Sequence, residues 1–279
     1  MKNKFQIEII KLLNKLFKNL IFATKNNSLK KKNDINGLLE WDEETNALLN
    51  ININKDINLE NLLFVDNQKN ILINNTRLFL EKGAANNVLL WGSRGTGKSS
   101  LVIAIYNLFK SNYSFLMIEI KFFQIQYLPK ILRILEKKKE KIIIYCDDFS
   151  FENNDKNFIL FKNTLEGTLR KNKNIIFYVT SNYRHLVRNM KNDQVDEINK
   201  KDSIENFISL SDRFGIWLGF HNFNQENFLK LVLFHAKFYK LNLSQKTLKD
   251  KAIEWSLLRG SYSGREAINL VRFLLAKEN

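Results

Sequence analysis

The chain has 279 residues, of which 44% are hydrophobic, and it carries a formal net charge of +15 with a single cysteine, Cys146. This length and apolar content suffice for one or two domains with a sizeable core. One cysteine excludes an internal disulfide and argues against a structural zinc site, so we expect a protein of the reducing cytoplasm. Charges interrupt every apolar run before it could cross a bilayer, which predicts no transmembrane segment.

The N-terminal part, residues 1–54, is predicted to be a helical extension and linker. Residues 5–22 place their apolar side chains on one helical stripe and lysines on the opposite face. This stripe packs on the core, makes a weak contact with a membrane surface, or docks a partner. Residues 24–35 are polar and read as a linker.

Excess positive charge is concentrated in residues 1–40, with nine Lys against three acids, and in residues 121–141, with seven Lys or Arg against two. Basic surfaces attract nucleic acid, which is therefore one candidate partner. A solvated surface without a partner is the alternative, because the chain is rich in Lys, Asn, Ile and Phe, whose codons are A/T-rich.

From residue 86 onward, short β-branched or aromatic runs alternate with helical patterns, which is typical of a parallel α/β sheet. The predicted strands are 87–91, 115–120, 142–146, 174–179 and 216–220. The predicted helices are 98–110, 124–139 and 155–171, followed by an all-helical part with segments at 224–240, 244–259 and 263–277.

The first predicted strand leads into "GSRGTGKSS", which fits the phosphate-loop pattern G-x-x-x-x-G-K-[ST]. Glycines allow successive backbone N–H groups to face a polyanion, and the following helix adds its N-terminal dipole. Lys98 is placed to reach the β- and γ-phosphates, and the Ser99 hydroxyl to ligate Mg²⁺. The predicted ATP-binding residues are Gly92, Ser93, Arg94, Gly95, Thr96, Gly97, Lys98, Ser99 and Ser100.

Two further strands end in polar residues at the edge where open α/β sheets bind ligands. "KIIIYCDDFSF" delivers Asp147, a candidate Mg²⁺ ligand, and Asp148, a candidate to orient or deprotonate the attacking water. Acids at a strand end also occur in ordinary turns, which is the alternative. "IIFYVTSN" delivers Asn182. In a sheet of order 5-1-4-3-2, Asn182 would lie between the phosphate loop and the acidic pair.

Two arginines complete the set of candidates. Arg213, in "SLSDRFGIWLGF", is either a finger supplied to a neighbouring subunit's γ-phosphate or a salt-bridge partner of Asp212. Arg265, in "GSYSGREA", begins a helix and is either a phosphate contact or ordinary helix-surface charge.

In this order, the motifs resemble an AAA+ ATPase. "NNVLLWGSRGTGKSS", "YCDDFSFE", "LEGTL", "TSNYRHLV", "SLSDRFGIWLGF" and "SGREA" look like one bacterial family of AAA+ proteins that is classed as a domain of unknown function, over roughly residues 55–275. The resemblance implies a five-stranded parallel P-loop sheet of order 5-1-4-3-2 in residues 55–222 and a helical lid in residues 223–279.

The resemblance also implies roles for matching residues. Asp147 and Asp148 would form Walker B, Asn182 sensor 1, Arg213 the trans-acting finger and Arg265 sensor 2. AAA+ proteins generally carry Glu as the second Walker B acid; Asp at this position is similar to replication initiators and helicase loaders.

The leading functional hypothesis is an ATP hydrolase with Mg²⁺ that works as a homo-oligomeric switch on a protein partner. The alternative is an ATP-dependent nucleic-acid-binding protein of the initiator or loader type. A P-loop small-molecule kinase fits less well, since the chain offers a C-terminal helical lid and a sensor-like strand end.

Overall fold

The computed structural model describes residues 37–52, 56–152, 155–171, 173–186, 210 and 212–278. The helix predicted at residues 5–22 and the linker at 24–35 lie outside the described residues, so both stay predictions. A mixed, mostly parallel sheet forms the centre, in the order β2-β1-β4-β5-β6-β3-β7. Its strands are β1 (Gly37–Asp42), β2 (Ala47–Asn50), β3 (Val88–Gly92), β4 (Phe115–Ile120), β5 (Lys141–Cys146), β6 (Ile175–Ser181) and β7 (Ile216–Phe220).

The prediction of a five-stranded sheet was wrong in the strand count, and the order of the complete sheet changes with it. The two additional strands, β1 and β2, lie within the segment assigned to an extension and linker. β1 pairs in parallel with β4, and β2 is antiparallel to β1. The other five strands are all parallel and follow one another as β4-β5-β6-β3-β7, which is the predicted succession read from the opposite edge.

The β1–β2 hairpin is short, and its sequence hides its role. In β1, Leu38 and Trp41 are buried while the residues between them are partly exposed, so the strand lacks a strict two-residue alternation. The pairing partner lies far along the chain, with Gly37 opposite Leu116. Long-range pairing of this kind leaves no local signal in the sequence.

Helices cover both faces of the sheet and form the C-terminal lid. They are α1 (Asp66–Lys82), α2 (Lys98–Phe109), α3 (Leu128–Leu135), α4 (Lys156–Lys171), α5 (Gln225–Phe238), α6 (Gln245–Arg259) and α7 (Gly264–Glu278), with 3₁₀ helices at Leu59–Asn61 and Phe122–Tyr127. The helix predicted at 124–139 is thus a 3₁₀ helix that continues into α3, with a proline in the first turn of α3. The helix α1 was not predicted.

Three apolar clusters hold these layers together. One lies on the face of the sheet that carries α3 and α4, and a second on the face that carries α1 and α2. The third lies among α5, α6 and α7, so the lid has a core of its own. Within the described ranges, no helix has both the length and the apolar character needed to traverse a bilayer.

Candidate functional site

A cavity of about 670 Å³ lies where the carboxyl ends of the strands face the helical lid. Its walls include most of the residues that the sequence singled out: Arg94, Gly95, Thr96, Gly97, Lys98, Ser99, Ser100, Asp147, Asp148, Asn182 and Arg265. The strand order accounts for this convergence, because β3 and β5 flank β6 and all three end at the same edge.

The loop between β3 and α2 has the conformation that its glycines permit. Gly92, Gly95 and Gly97 have φ angles of 127°, 73° and 100°. At Gly92, an added Cβ would lie only 1.9 Å from the carbonyl oxygen of Phe220, so β3 and β7 approach too closely there for any side chain. The next residue, Ser93, donates its backbone N–H to the same carbonyl at 2.8 Å. Glycine at position 92 is therefore required by packing as well as by the turn.

Lys98 is the first residue of α2 and is buried, with 8% of its surface exposed. Its ammonium donates to the carbonyl oxygens of Gly92 and Ser93, at 2.7 and 2.8 Å, and to Asn182 Oδ1 at 3.2 Å. Burial lowers the pKa of Lys98 from 10.5 to about 8, although the nearby charges of Asp148 and Asp147 act in the opposite direction. The ammonium is thus pre-positioned at the loop and poorly solvated.

Asp147 lies at the end of β5 and accepts three hydrogen bonds on one carboxylate oxygen. Ser99 Oγ, the Tyr145 hydroxyl and Thr180 Oγ1 each donate to Asp147 Oδ1 at 2.6 Å. The phosphate loop and β5 are therefore in direct side-chain contact. Because the Ser99 hydroxyl donates its hydrogen bond to the carboxylate, the lone pairs of Ser99 Oγ remain available to a cation.

Asp148 has a left-handed backbone conformation, with a φ of 52°. Non-glycine residues adopt this region rarely, and such residues occur at functional sites. Thr180 holds the segment in place: its Oγ1 accepts from the Asp148 N–H at 2.8 Å, and its carbonyl accepts from the Phe149 N–H at 2.9 Å. Asn182 Nδ2 donates to Asp148 Oδ1. The Asn182 amide therefore bridges Lys98 and Asp148.

The lid touches the phosphate loop through the start of α7. The backbone N–H of Arg265 donates to the carbonyl of Gly95 at 3.2 Å. A Cβ on Gly95 would lie 2.9 Å from Ser263 Oγ and 3.0 Å from Arg265 Cβ. The position of the lid and the conformation of the loop are consequently coupled through one backbone contact.

Arg213 lies apart from the cavity and does not contribute to its walls. Its guanidinium forms an ion pair with Glu166 on α4 at 2.8 Å, with 42% of the Arg213 side chain exposed. The carbonyl of Arg213 accepts from Asn87 Nδ2 at 3.4 Å, which ties the segment to β3. Of the alternatives drawn from the sequence, the pairing with Asp212 is thus replaced by a pairing with Glu166.

The far wall of the cavity comes from residues that the sequence did not single out. It is formed by the segment before α1 and by α5 and α7, including Leu62, Val65, Leu231, His235 and Ile268. His235 is buried, and burial together with the charge of Arg272 lowers its pKa to about 4, so its imidazole is neutral at pH 7. These residues read as ordinary core positions, and only the tertiary structure places them on one wall.

Solved structures with similar folds include Thermotoga maritima RuvB, described as a Holliday junction branch migration motor, with a TM-score of 0.54 and 14% identity over 78% of this chain. A DNA replication initiation factor has a TM-score of 0.53 and 18% identity over 81% of this chain. AMPPCP-bound DnaA from Aquifex aeolicus has a TM-score of 0.51 and 18% identity over 78% of this chain.

The chain spans 64% of the length of the RuvB structure and 66% of the length of each of the other two. At these identities the likeness shows that the chain shares the fold of these structures, and no more than the fold. No curated protein matches the sequence significantly. Residues 36–278, most of the chain, match a family described as a protein of unknown function, DUF815, and the chain belongs to that family.

Proposed function

We propose that the chain binds Mg²⁺-ATP and hydrolyses it, working in the cytoplasm as an oligomeric switch on a macromolecular partner. One observation carries the proposal: hydrogen bonds join Lys98, Asn182 and Asp148 in one set and Ser99 and Asp147 in another, Thr180 connects the two sets, and all lie in a single cavity beside a glycine-rich loop. A cation from the loop, two carboxylates and a bridging amide are the groups that phosphoryl transfer requires.

The donor set fits Mg²⁺, which prefers oxygen ligands and keeps several of its waters. Ser99 Oγ would ligate the metal directly, and Asp147 would hold it directly or through a metal-bound water. The hydrogen bond of 2.6 Å between these two side chains holds their oxygens side by side at the cavity wall. Bound Mg²⁺ would neutralise negative charge on the β- and γ-phosphates.

The remaining residues act on the phosphates and the nucleophile. Lys98 would exchange its contacts with loop carbonyls for phosphate oxygens, which is favourable because its ammonium is poorly solvated. Asp148 would orient the attacking water or accept its proton, and Asn182, bonded to both Lys98 and Asp148, would hold the γ-phosphate or that water between them. Arg265, on the cavity wall, would add positive charge from the lid.

Hydrolysis would require a second copy of the chain. Arg213 does not line the cavity of its own subunit and is partly exposed. An ion pair with such exposed partners contributes only about 0–1 kcal/mol, so Arg213 can leave Glu166 at little cost. In the proposed homo-oligomer, Arg213 would contact the γ-phosphate bound by its neighbour, and the nucleotide state would then be communicated to a protein partner.

The second candidate is an ATP-dependent nucleic-acid-binding protein of the initiator or loader type. The net charge of +15 and the likeness to a DNA replication initiation factor favour it. In the basic segment at residues 121–141, Lys121 pairs with Glu40 of the β1–β2 hairpin at 3.4 Å, which offsets one charge, and Lys130 donates a hydrogen bond to the neutral Asn46 amide at 2.6 Å. A nucleic-acid surface would therefore draw on other basic residues as well.

Two substitutions test the ATPase assignment. Lys98→Ala should abolish binding of a fluorescent ATP analogue, because it removes the buried cation of the loop. Asp148→Asn should bind the analogue as the wild type does and lose hydrolysis, because the amide cannot accept a proton. Hydrolysis at the wild-type rate by both variants would contradict the assignment.

A further inference from the structure

Tyr145 reads as one more buried residue of a central strand, yet its hydroxyl enters the candidate metal site. The side chain is 2% exposed and packs in the apolar cluster beneath α2. Its hydroxyl donates to Asp147 Oδ1 at 2.6 Å. The other buried side chains of this strand are three isoleucines and Cys146, so a phenol here needs a reason, and the carboxylate two residues later supplies one.

Three donors to Asp147 converge on the same oxygen. Ser99 donates to Oδ1 from the first turn of α2, Thr180 from β6, and Tyr145 from β5, the strand that ends just before Asp147. Among the described residues no side chain or backbone group donates to Oδ2. Three donors on Oδ1 fix the rotation of the carboxylate, so that its second oxygen has one defined direction.

The Tyr145 hydroxyl is the donor in its hydrogen bond with Asp147. Burial, and then the charge of Asp147 and the hydrogen bond to it, raise the pKa of Tyr145 well above its usual value. A hydrogen bond donated to a carboxylate stabilises its charged form, which is the form that binds a cation.

We propose that Tyr145 is a positioning residue for Mg²⁺: its hydroxyl orients Asp147 so that the carboxylate and Ser99 Oγ present their oxygens together to the metal. The inference rests on the proposed function, because it assigns the metal to this site. Partners that hydrogen-bond to metal ligands typically contribute about 10–100-fold to metal affinity. Since Tyr145 is one of three such donors, we expect the lower end of that range.

The chain offers a matched control in Tyr178. Tyr178 is the register partner of Tyr145 on the adjacent strand β6 and is also fully buried. Its hydroxyl contacts Thr76 at 2.7 Å and accepts from Asn75 at 3.3 Å, both on α1, so it serves the packing of that helix instead of the cavity. Tyr178→Phe therefore removes a buried strand hydroxyl without touching Asp147.

The test measures the affinity of a fluorescent ATP analogue with EDTA and with saturating Mg²⁺, and takes the ratio as the gain due to the metal. For Tyr145→Phe we expect an unchanged affinity in EDTA and a gain about tenfold smaller than that of the wild type. Tyr178→Phe should keep the full gain even if its melting temperature falls. Asp147→Asn should lose most of the gain.

Thermal unfolding establishes that each variant is folded at the assay temperature. Tyr145→Leu also lacks the hydroxyl and should reproduce the result of Tyr145→Phe. A full metal gain in both Tyr145 variants would overturn the inference while leaving the ATPase proposal intact. A wild type that binds no analogue, or that gains nothing from Mg²⁺, would overturn both.

Discussion

The lowered pKa of Lys98 makes nucleotide binding sensitive to mild alkali. In the free protein the pKa of Lys98 is about 8, against 10.5 for an ordinary lysine. Only the ammonium form attracts phosphate strongly, so above pH 8 binding has to compete with deprotonation. We expect the affinity for an ATP analogue to fall with pH above 8, by at most about tenfold per pH unit.

Deprotonation of Lys98 does not favour unfolding in alkali, so unfolding driven by this residue cannot account for a fall in nucleotide affinity. Between pH 8 and 10.5 the unfolded chain binds more protons at Lys98 than the folded chain does. Raising the pH across this window therefore favours the folded state as far as Lys98 is concerned. A loss of binding there does not come from unfolding driven by Lys98.

The protonation of Lys98 that accompanies nucleotide binding can also be measured directly. Calorimetry of binding at pH 9 in two buffers of different ionisation enthalpy gives the number of protons taken up. Because the pKa of about 8 in the free protein lies below pH 9, binding should take up most of one proton at that pH. Lys98→Arg carries a guanidinium that stays charged, so whatever its affinity, that affinity should be nearly independent of pH. An affinity of the wild type that is flat to pH 9.5, or no proton uptake at pH 9, would refute the reasoning.

Two further predictions concern the contact between the lid and the phosphate loop. Gly95→Ala should weaken nucleotide binding, because its Cβ would meet Ser263 Oγ and Arg265 Cβ at 2.9 and 3.0 Å, and because a left-handed alanine costs about 1–2 kcal/mol. Equilibrium binding of an ATP analogue measures the effect. A Gly95→Ala variant with wild-type affinity would contradict the coupling of the loop and the lid. Arg265→Ala should slow hydrolysis more than it lowers the melting temperature, and an unchanged rate with a large drop in melting temperature would show that Arg265 is structural.

The parts of the site that sequence reasoning located are those with local signals. The spacing of Gly92, Gly97 and Lys98 is set by the geometry of one loop, so these residues form a local pattern that can be found in the sequence. The sequence led us to expect Asp147 and Asn182 at one edge because parallel strands of one sheet end at the same side, and both line the cavity. Their roles in catalysis stay predictions until they are measured.

The features that the sequence did not indicate mostly depend on contacts between residues that lie far apart in the chain. The strand β1 pairs with β4 across more than 70 positions, and Arg213 reaches Glu166 on another element. The Tyr145 hydroxyl was missed for a different reason: in "KIIIYC" an aromatic residue fits a buried strand, and the pattern cannot indicate where its one polar atom lies. Helix α1 was missed because its sequence is mostly polar, with Asn and Gln between its apolar positions.

Mixing two inactive variants tests most directly the central claim, that ATP is hydrolysed at a site completed by a neighbouring subunit. Arg213→Ala should bind ATP nearly normally and hydrolyse it poorly, since a finger of this kind is worth about 10³–10⁵ in rate in related P-loop enzymes. Glu166→Gln, which frees Arg213 from its ion pair, should retain activity.

Specific activity of the wild type should rise with protein concentration. Arg213→Ala mixed with Lys98→Ala should recover part of the activity, because one interface then joins an intact phosphate site to an intact arginine. Turnover that is independent of concentration, with no recovery on mixing, would contradict the account and leave Arg213 as the partner of Glu166.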